Sequence, residues 1–192
     1  GSAWIILYFS VLHAEKLSSR KRRIFDHSSP SHITDFALLI EGQRVYVGRQ
    51  YLATHSPVFD TMLFGDFAEK DKNEVELKDV KHQDFINLLA LIYPTSVLLT
   101  EDTVEGILVL ADRFGFEVVM AQAQKFLLDS KSMILSKKLL LADRYRLSEL
   151  KNFCLAKLVD KKAIRDLAKT REYAELSKDL KIELLEKTLD KD

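Results

Sequence analysis

The sequence predicts an α+β fold in which three short strands precede a long series of helices. Between residues 36 and 77, apolar residues recur at every second position in three short stretches, as in half-buried strands. From about residue 81 onward they recur every three to four positions, as in amphipathic helices. The 192 residues include only three prolines and six glycines, which disfavours an all-β fold with many tight turns. The change of period therefore indicates a small sheet followed by helices.

The first two predicted strands form a hairpin. Residues 36–40 form the first strand, and residues 45–47 form the returning strand. The segment 41–44 between them can place Gly42 at the first central position of a two-residue turn. A third short strand is predicted at residues 75–77.

A short helix is predicted to begin at Ser56 and Pro57, after another short helix over about residues 50–54. The Ser56 hydroxyl can accept a hydrogen bond from an unpaired amide of the first turn, and Pro57 suits the first helical position. The residues that follow place one apolar face on this helix: Val58, Phe59, Met62 and Leu63. Gly65 is placed to end it.

Two aromatic residues lie beside a charged loop that follows this helix. Phe64 and Phe67 are neighbours of Asp66 and Glu69, and further charges follow over residues 70–74. Aromatic side chains next to such a loop indicate a binding edge. The alternative is that both rings complete the core, where phenylalanine is often buried.

The second half of the sequence predicts helices to its end. The apolar spacing places one helix from about residue 81, which Pro94 ends, and a second that Thr100 caps, with its core face running to Ala111. Further helices are predicted at about residues 117–128, 133–143, 147–160, 163–173 and 177–189. The sequence Ala-Asp-Arg-Phe at 111–114 recurs as Ala-Asp-Arg-Tyr at 142–145. This echo indicates two stacked helical hairpins of similar build.

The composition excludes several classes of function. Twenty-nine basic residues balance twenty-nine acidic ones, so no overall charge favours nucleic acid or an anionic membrane as a partner. The single cysteine, Cys154, excludes an internal disulfide, fits a reducing compartment and lies on a predicted apolar helical face. The five histidines show no partner at metal-ligand spacing, and no phosphate-binding glycine loop or serine elbow is present. We expect no catalysis, no metal and no cofactor.

The N-terminal segment carries an apolar run at residues 3–12 and a basic cluster at residues 20–23. The run is too short to span a membrane, which takes about 20 residues, and it lacks the flanks of a signal peptide. We expect residues 4–12 to pack against the folded domain or to exchange between two copies, because an uncovered apolar run favours aggregation. The basic cluster is either a weak nuclear-import signal or a solvated stretch.

The pattern as a whole resembles the BTB/POZ domain. The matching residues are Asp35–Gly42, Tyr51–Ala53, Ser56–Phe59, Met62, Phe67, Glu69, Ile92–Pro94 and Ala111–Phe114. The resemblance covers about residues 33–128, with a looser similarity to about residue 160 to the helices that follow BTB domains in cullin adaptors. It is most like the BTB domains found downstream of MATH domains in nematode-type proteins. The chain is accordingly divided into an N-terminal extension (1–32), a BTB/POZ domain (33–128) and a helical extension (129–192).

The resemblance implies a twofold dimer. By position, Asp35 and Arg49 match the charged pocket of the family's dimer interface, with Leu52 and Phe59 nearby. A bidentate contact between aspartate and arginine offsets part of the cost of removing both from water. Gly48 departs from the pattern, since the family typically carries histidine there. The alternative for Asp35 is a strand-start residue that faces water.

The resemblance also implies binding to the N-terminal domain of cullin-3. Cullin-binding members carry a hydrophobic-x-Glu motif before the third strand, and residues 67–69, Phe-Ala-Glu, match it. The implied contact residues are Leu63, Phe67, Glu69, Tyr93 and Pro94. The chain would then be a non-catalytic dimeric substrate adaptor of a ubiquitin ligase in the cytoplasm, the nucleus or both. The alternative is a scaffold that only self-associates; the substrate and the presence of an upstream MATH domain stay open.

Overall fold

A computed structural model of the protein describes residues 27–65, 73–93 and 98–189. The predicted N-terminal apolar run and the basic cluster lie outside the described residues, as do Phe67, Glu69 and Pro94. The α+β prediction is confirmed, because three strands near the start of the described chain are followed by a long helical region.

The sheet is built around its first strand. Strand β1 (Phe36–Ile40) lies between β2 (Gln43–Val47) and β3 (Glu74–Glu76). It pairs with β2 in antiparallel register and with β3 in parallel register. The prediction of a hairpin followed by a third short strand is therefore confirmed, with β3 starting one residue earlier than expected.

The predicted position of Gly42 in the hairpin turn is wrong. Ile40 pairs with Gln43, so Glu41 and Gly42 are the two central residues and the glycine is the second of them. Their φ angles are +48° and +76°, which is the arrangement of a type I′ turn. This turn matches the right-handed twist of the strands, which explains why the chain accepts a non-glycine residue at positive φ.

Ten helices lie within the described ranges. They are α1 (Arg49–His55), α2 (Pro57–Phe64), α3 (His82–Ile92), α4 (Glu101–Phe114), α5 (Glu117–Asp129), α6 (Leu135–Arg144), α7 (Ser148–Lys157), α8 (Lys161–Ala168), α9 (Arg171–Glu175) and α10 (Lys178–Leu189). The single helix predicted over 163–173 is wrong, because the chain forms α8 and α9 there. The Thr170 hydroxyl donates to the Leu167 carbonyl and accepts from the Tyr173 amide, so it caps a new helix inside the predicted one.

The predicted start of α2 is confirmed. The Ser56 hydroxyl oxygen lies 3.0 Å from the Phe59 amide nitrogen and accepts its hydrogen bond, and Pro57 is the first helical residue. The same hydroxyl donates to the carbonyl of Phe114, at the end of α4. Ser56 therefore joins two elements that are far apart in the sequence. Gly65 ends α2, as expected.

The repeated Ala-Asp-Arg sequence ends two helices in the same way. The backbone amide five residues after Ala111 donates to its carbonyl at 2.8 Å, and the equivalent bond at Ala142 is 2.9 Å. In each turn the residue before that amide is left-handed, with φ +70° at Gly115 and φ +56° at Arg146. This is the hydrogen bond of a Schellman C-cap. The echo thus marks the turns of two helical hairpins, α4–α5 and α6–α7.

Two apolar clusters hold these elements together. The first unites the sheet with α1 to α4 and the start of α5, and Phe59 lies at its aromatic centre beside Phe85, Phe114 and Phe116. The second joins inward side chains of α4 and α5 to the helices from α6 to α10. The helical extension is therefore packed onto the preceding domain through a shared apolar layer. Cys154 is fully buried in this second cluster, and burial raises the pKa of its thiol to about 11.

Polar contacts on α4 also fix the extension in place. The Glu101 carboxylate accepts hydrogen bonds from the hydroxyls of Ser130 and Ser132, at 2.6 and 2.5 Å. One turn further along α4, Glu105 pairs with Lys137 of α6 at 2.7 Å. These side-chain contacts hold the first helix of the extension at a defined register on α4.

Candidate protein-interaction surface

Asp35 and Arg49 are brought together at one end of the sheet. Asp35 directly precedes β1, and Arg49 is the first residue of α1. The Asp35 carboxylate accepts from the Arg49 backbone amide at 3.0 Å and from its guanidinium Nε at 3.3 Å. The guanidinium also lies over the ring of Phe36, 5.2 Å from its centroid. The structure thus pairs these two predicted residues within one chain.

The pair changes the acidity of Asp35. Partial burial acts to raise the pKa of its carboxyl, but the hydrogen bonds from the amide and the guanidinium of Arg49 outweigh it. The pKa therefore lies below its ordinary value of 3.8. The carboxylate keeps its negative charge, and half of its side chain remains exposed at this surface.

An Asp35→Asn variant tests this contact through the dependence of stability on pH. The lowered folded-state pKa means that the carboxylate stabilises the fold fully above the unfolded value, and progressively less as the pH falls through the folded value. We expect the native chain to be more stable than the variant near neutral pH, and the difference to shrink as the medium becomes acidic. Urea unfolding of both proteins from about pH 7 down to about pH 3 measures it. A difference that stays constant over this range would contradict the assignment.

An aromatic cluster supports the same region from beneath. The Gly48 amide donates to the Tyr93 hydroxyl at 3.1 Å, and the Tyr51 hydroxyl donates to the carbonyl of Ile92. The rings of Tyr51 and Tyr93 lie 4.5 Å apart between centroids, and His27 packs edge-on against Tyr93. Burial raises the pKa of Tyr93, and this outweighs the effect of the bond from Gly48. The Tyr93 side chain therefore stays uncharged, and its hydroxyl is turned inward to the Gly48 amide.

A shallow groove opens above this cluster. It has a volume of about 480 Å³ and lies between the residues just before β1 and the outer side of α1. Its lining residues are His32, Ile33, Asp35, Gly48, Gln50, Tyr51 and Thr54. The groove combines a fixed carboxylate, hydroxyl and amide groups and one half-exposed apolar side chain, which suits contact with another polypeptide.

The other two predicted dimer residues lie below the surface. Leu52 and Phe59 are fully buried in the first cluster, each among side chains of its own chain. They can affect a dimer only indirectly, because they hold α1 and α2 in place beneath the surface that carries Asp35 and Arg49.

Two predicted cullin-contact residues are also buried within the chain. Leu63 is 6% exposed and Tyr93 is 5% exposed. The hydroxyl of Tyr93 is turned inward, where it accepts the Gly48 amide in a buried bond. Phe67, Glu69 and Pro94 lie outside the described residues.

An exposed strip lies beside the predicted motif, and Phe64 is the member of it that the sequence had indicated as part of a binding edge. The outward side of α2 carries Pro57, Thr61 and Phe64, and Phe64 is 44% exposed. Pro57 packs so closely on Gly115 that an added β carbon there would lie 3.1 Å from Pro57 Cγ. Val118, near the start of α5, is also 53% exposed. The four- and three-residue spacing of the α2 residues was the signal that could have found the rest of the strip.

In the described part of the chain, the side chains that could ligate a metal do not cluster. Among residues 27–65, 73–93 and 98–189, no group of three or more His, Cys, Asp or Glu side chains could hold a metal ion. What these residues offer is a polar groove, a fixed ion pair and an exposed strip, which are features of a surface that binds protein.

The sequence profile of the BTB/POZ domain matches residues 25–131. The chain belongs to the BTB/POZ family. BTB/POZ domains are protein-interaction domains that commonly dimerise, and the groove and ion pair lie within the matched residues.

Two relatives of this BTB/POZ chain come from Caenorhabditis elegans. BTB and MATH domain-containing protein 36 is 40% identical over 159 residues, which cover 83% of this chain and 50% of the relative. BTB and MATH domain-containing protein 38 is 38% identical over 159 residues, which cover 83% of this chain and 41% of the relative. The chain thus spans half or less of the length of these relatives.

Among solved structures, the BTB domain of human gigaxonin aligns with a TM-score of 0.43 and 22% identity over 58% of this chain and 84% of that one.

In the described ranges of this BTB/POZ chain, no helix is long and apolar enough to cross a membrane.

Proposed function

We propose that this chain is a non-catalytic, dimeric BTB adaptor that binds the N-terminal domain of cullin-3 and brings a protein substrate to a ubiquitin ligase. The proposal depends mainly on residues 67–69, Phe-Ala-Glu, which follow α2 and match the hydrophobic-x-Glu motif of cullin-binding BTB domains. Family membership and the likeness to BTB and MATH domain-containing proteins support it.

The exposed strip on α2 supports the same site. Phe64 is the last residue of α2, three positions before Phe67, and its ring is nearly half exposed. In the proposed complex, Phe67 and Phe64 enter apolar pockets of the partner, and the Glu69 carboxylate fixes the register. Leu63 and Tyr93 act beneath this surface, where they hold α2 and the end of α3 in place.

The helical extension plays a supporting part in this proposal. Helices α6 and α7 would extend the cullin-binding surface beyond the BTB domain. Their position on α4 is held by Glu101 and Glu105, so they present a rigid face to a partner. Rigid contacts lower the entropy that binding would otherwise cost.

The Asp35–Arg49 surface is the proposed dimer contact. Both side chains are partly exposed and already oriented by their mutual hydrogen bonds. A dimer presents two cullin sites and two substrate sites, which raises the apparent affinity without any new contact. The substrate and the domain that binds it stay unassigned, and we place the protein in the cytoplasm, the nucleus or both.

A Phe67→Ala, Glu69→Ala double variant tests the adaptor proposal. We expect the native chain to bind the N-terminal domain of cullin-3 in calorimetric titration, and the variant to bind at least about tenfold more weakly, which is about 1.4 kcal/mol. The matched control is Val109→Ala, Asp112→Ala, which removes an exposed apolar and an acidic residue on α4. Light scattering confirms that all three proteins have the same oligomeric state.

The alternative function is a scaffold that self-associates without binding cullin. The burial of Leu63 and Tyr93 favours it, because this burial removes two of the five implied contact residues from the surface. A native chain that dimerises but shows no heat of binding to cullin-3 would overturn the adaptor proposal in favour of the scaffold.

A further inference from the structure

The last helix, α10, is apolar on two opposite faces. Leu180 and Leu184 point into the second cluster, and each is only 1% exposed. Ile182 and Leu185 lie on the other side of the helix, and they remain 54% and 62% exposed. A surface helix normally carries one apolar stripe that faces its own core. The side chains of the second stripe of α10 are therefore exposed to solvent in the described chain.

The spacing of the second stripe is that of a coiled-coil seam. Ile182 and Leu185 are three residues apart, and the sequence of the same helix continues with Leu189 four residues later. This is the alternation of a and d positions in a seven-residue repeat, with isoleucine at a and leucine at d. In parallel coiled coils, that choice of residues favours two strands.

The charges that flank the stripe select a parallel orientation. Lys181 precedes the a position, and Glu186 follows the d position. In a parallel pair these positions meet across the seam, so that Lys181 of each copy faces Glu186 of the other. In an antiparallel pair the flank that carries Asp179 and Glu186 would face its own acidic copy, which is unfavourable.

Lys181 has local contacts that such a pairing would replace. Its ammonium group donates to the Ala174 carbonyl at 2.9 Å and lies 5.6 Å from the centroid of the Tyr173 ring. The ammonium lies near the surface, where ion pairs and cation–π contacts are both weak, so the exchange costs little. The apolar seam supplies the attraction, and the charges supply the orientation.

We propose that α10 is a self-association surface that binds α10 of a second copy as a short parallel coiled coil, with Ile182 and Leu185 in its seam. Helix α10 packs on the second cluster, whereas the Asp35–Arg49 pair lies at the end of the sheet beside the first, so the two contacts together would link copies beyond a dimer. A seam of fewer than two repeats forms a small and weak interface. If two copies are already joined by a contact elsewhere in the molecule, the seam is strengthened, because the effective concentration of one α10 near the other is raised.

Sedimentation of an Ile182→Asp, Leu185→Asp variant tests the surface. We expect the native chain to show a concentration-dependent species larger than any formed by the variant, and the association constant of that species to fall at least tenfold in the variant. Both side chains are exposed, so the fold should be retained, and circular dichroism checks it. The control is Val109→Asp, an exposed apolar residue on α4, which should sediment like the native chain. Identical sedimentation of the native chain and the α10 variant would overturn the proposal.

Charge reversal tests the orientation. We expect Lys181→Glu to weaken the larger species, because two acidic flanks then meet, and the double variant Lys181→Glu, Glu186→Lys to restore it. A double variant as weak as the single one would contradict the parallel arrangement.

Disulfide trapping gives a second and independent readout. In a parallel pair the d positions face each other, so a Leu185→Cys variant should form a linked pair when oxidised with glutathione disulfide. The native Cys154 is buried and its pKa is raised to about 11, so it should not compete. A Val109→Cys control should form far less of the linked species. Equal yields from Leu185→Cys and the control would overturn the proposal.

Discussion

Replacing Phe59 by alanine should lower the free energy of unfolding by about 3–5 kcal/mol. Its side chain is fully buried, and its ring stacks on Phe114 with 4.9 Å between centroids. The rings of Phe85 and Phe116 lie 6.2 and 6.0 Å away, so the truncation opens a cavity that several rigid aromatic groups cannot fill.

Urea unfolding of the native chain and the variant measures this effect. Val58→Ala is the matched control, because Val58 is the neighbouring residue of α2 and its side chain is exposed. We expect the control to change stability by less than about 0.5 kcal/mol. A variant that keeps its full stability yet fails to dimerise would show that Phe59 acts at the dimer interface itself and not in the core.

Replacing Ser56 by alanine should cost about 2–3 kcal/mol, which is large for the loss of one oxygen atom. The hydroxyl is buried and makes two bonds, accepting from the Phe59 amide and donating to the Phe114 carbonyl. Its removal takes away the cap of α2 and leaves a buried carbonyl at the end of α4 without that partner.

Thermal and urea unfolding of Ser56→Ala measure the loss. Thr61→Ala is the control, because the Thr61 hydroxyl also bonds a backbone carbonyl, at 3.0 Å, but is exposed. We expect the control to lose less than about 0.5 kcal/mol. A Ser56 variant no less stable than the control would show that the link between α2 and α4 contributes little.

Local chemistry explains which elements were predictable. Ser56 and Pro57 start α2, Gly65 ends it, and the echo of 111–114 at 142–145 marks two equal turns, because each signal acts within a few residues. The wrong predictions arose where the local sequence allowed two conformations. Gly42 could occupy either central position of the turn, and pairing of Ile40 with Gln43 decided between them. Thr170 could continue a helix or cap a new one, and its hydroxyl caps.

For the predicted contact residues, too, the resemblance anticipated some features of the structure and not others. The contact of Asp35 with Arg49 followed from the resemblance, and the structure places the two side chains together. The burial of Leu63 and Tyr93 did not follow from it, because a side chain on a short helix can face the core or the solvent depending on what packs there. The burial of Tyr93 depends on Gly48 and Tyr51, residues more than forty positions away.

The sequence by itself determined the family, the order of the strands and of the described helices apart from the split into α8 and α9, and the position of the Phe-Ala-Glu motif, since these depend on residue type and spacing along the chain. Only the tertiary structure decided which apolar residues form surface. It buried Leu52, Leu63 and Tyr93, and it left Phe64, Ile182 and Leu185 exposed on helices with other apolar residues inside. The physical reason is that burial depends on contacts between elements distant in sequence, whereas periodicity reports only that a helix has an apolar face.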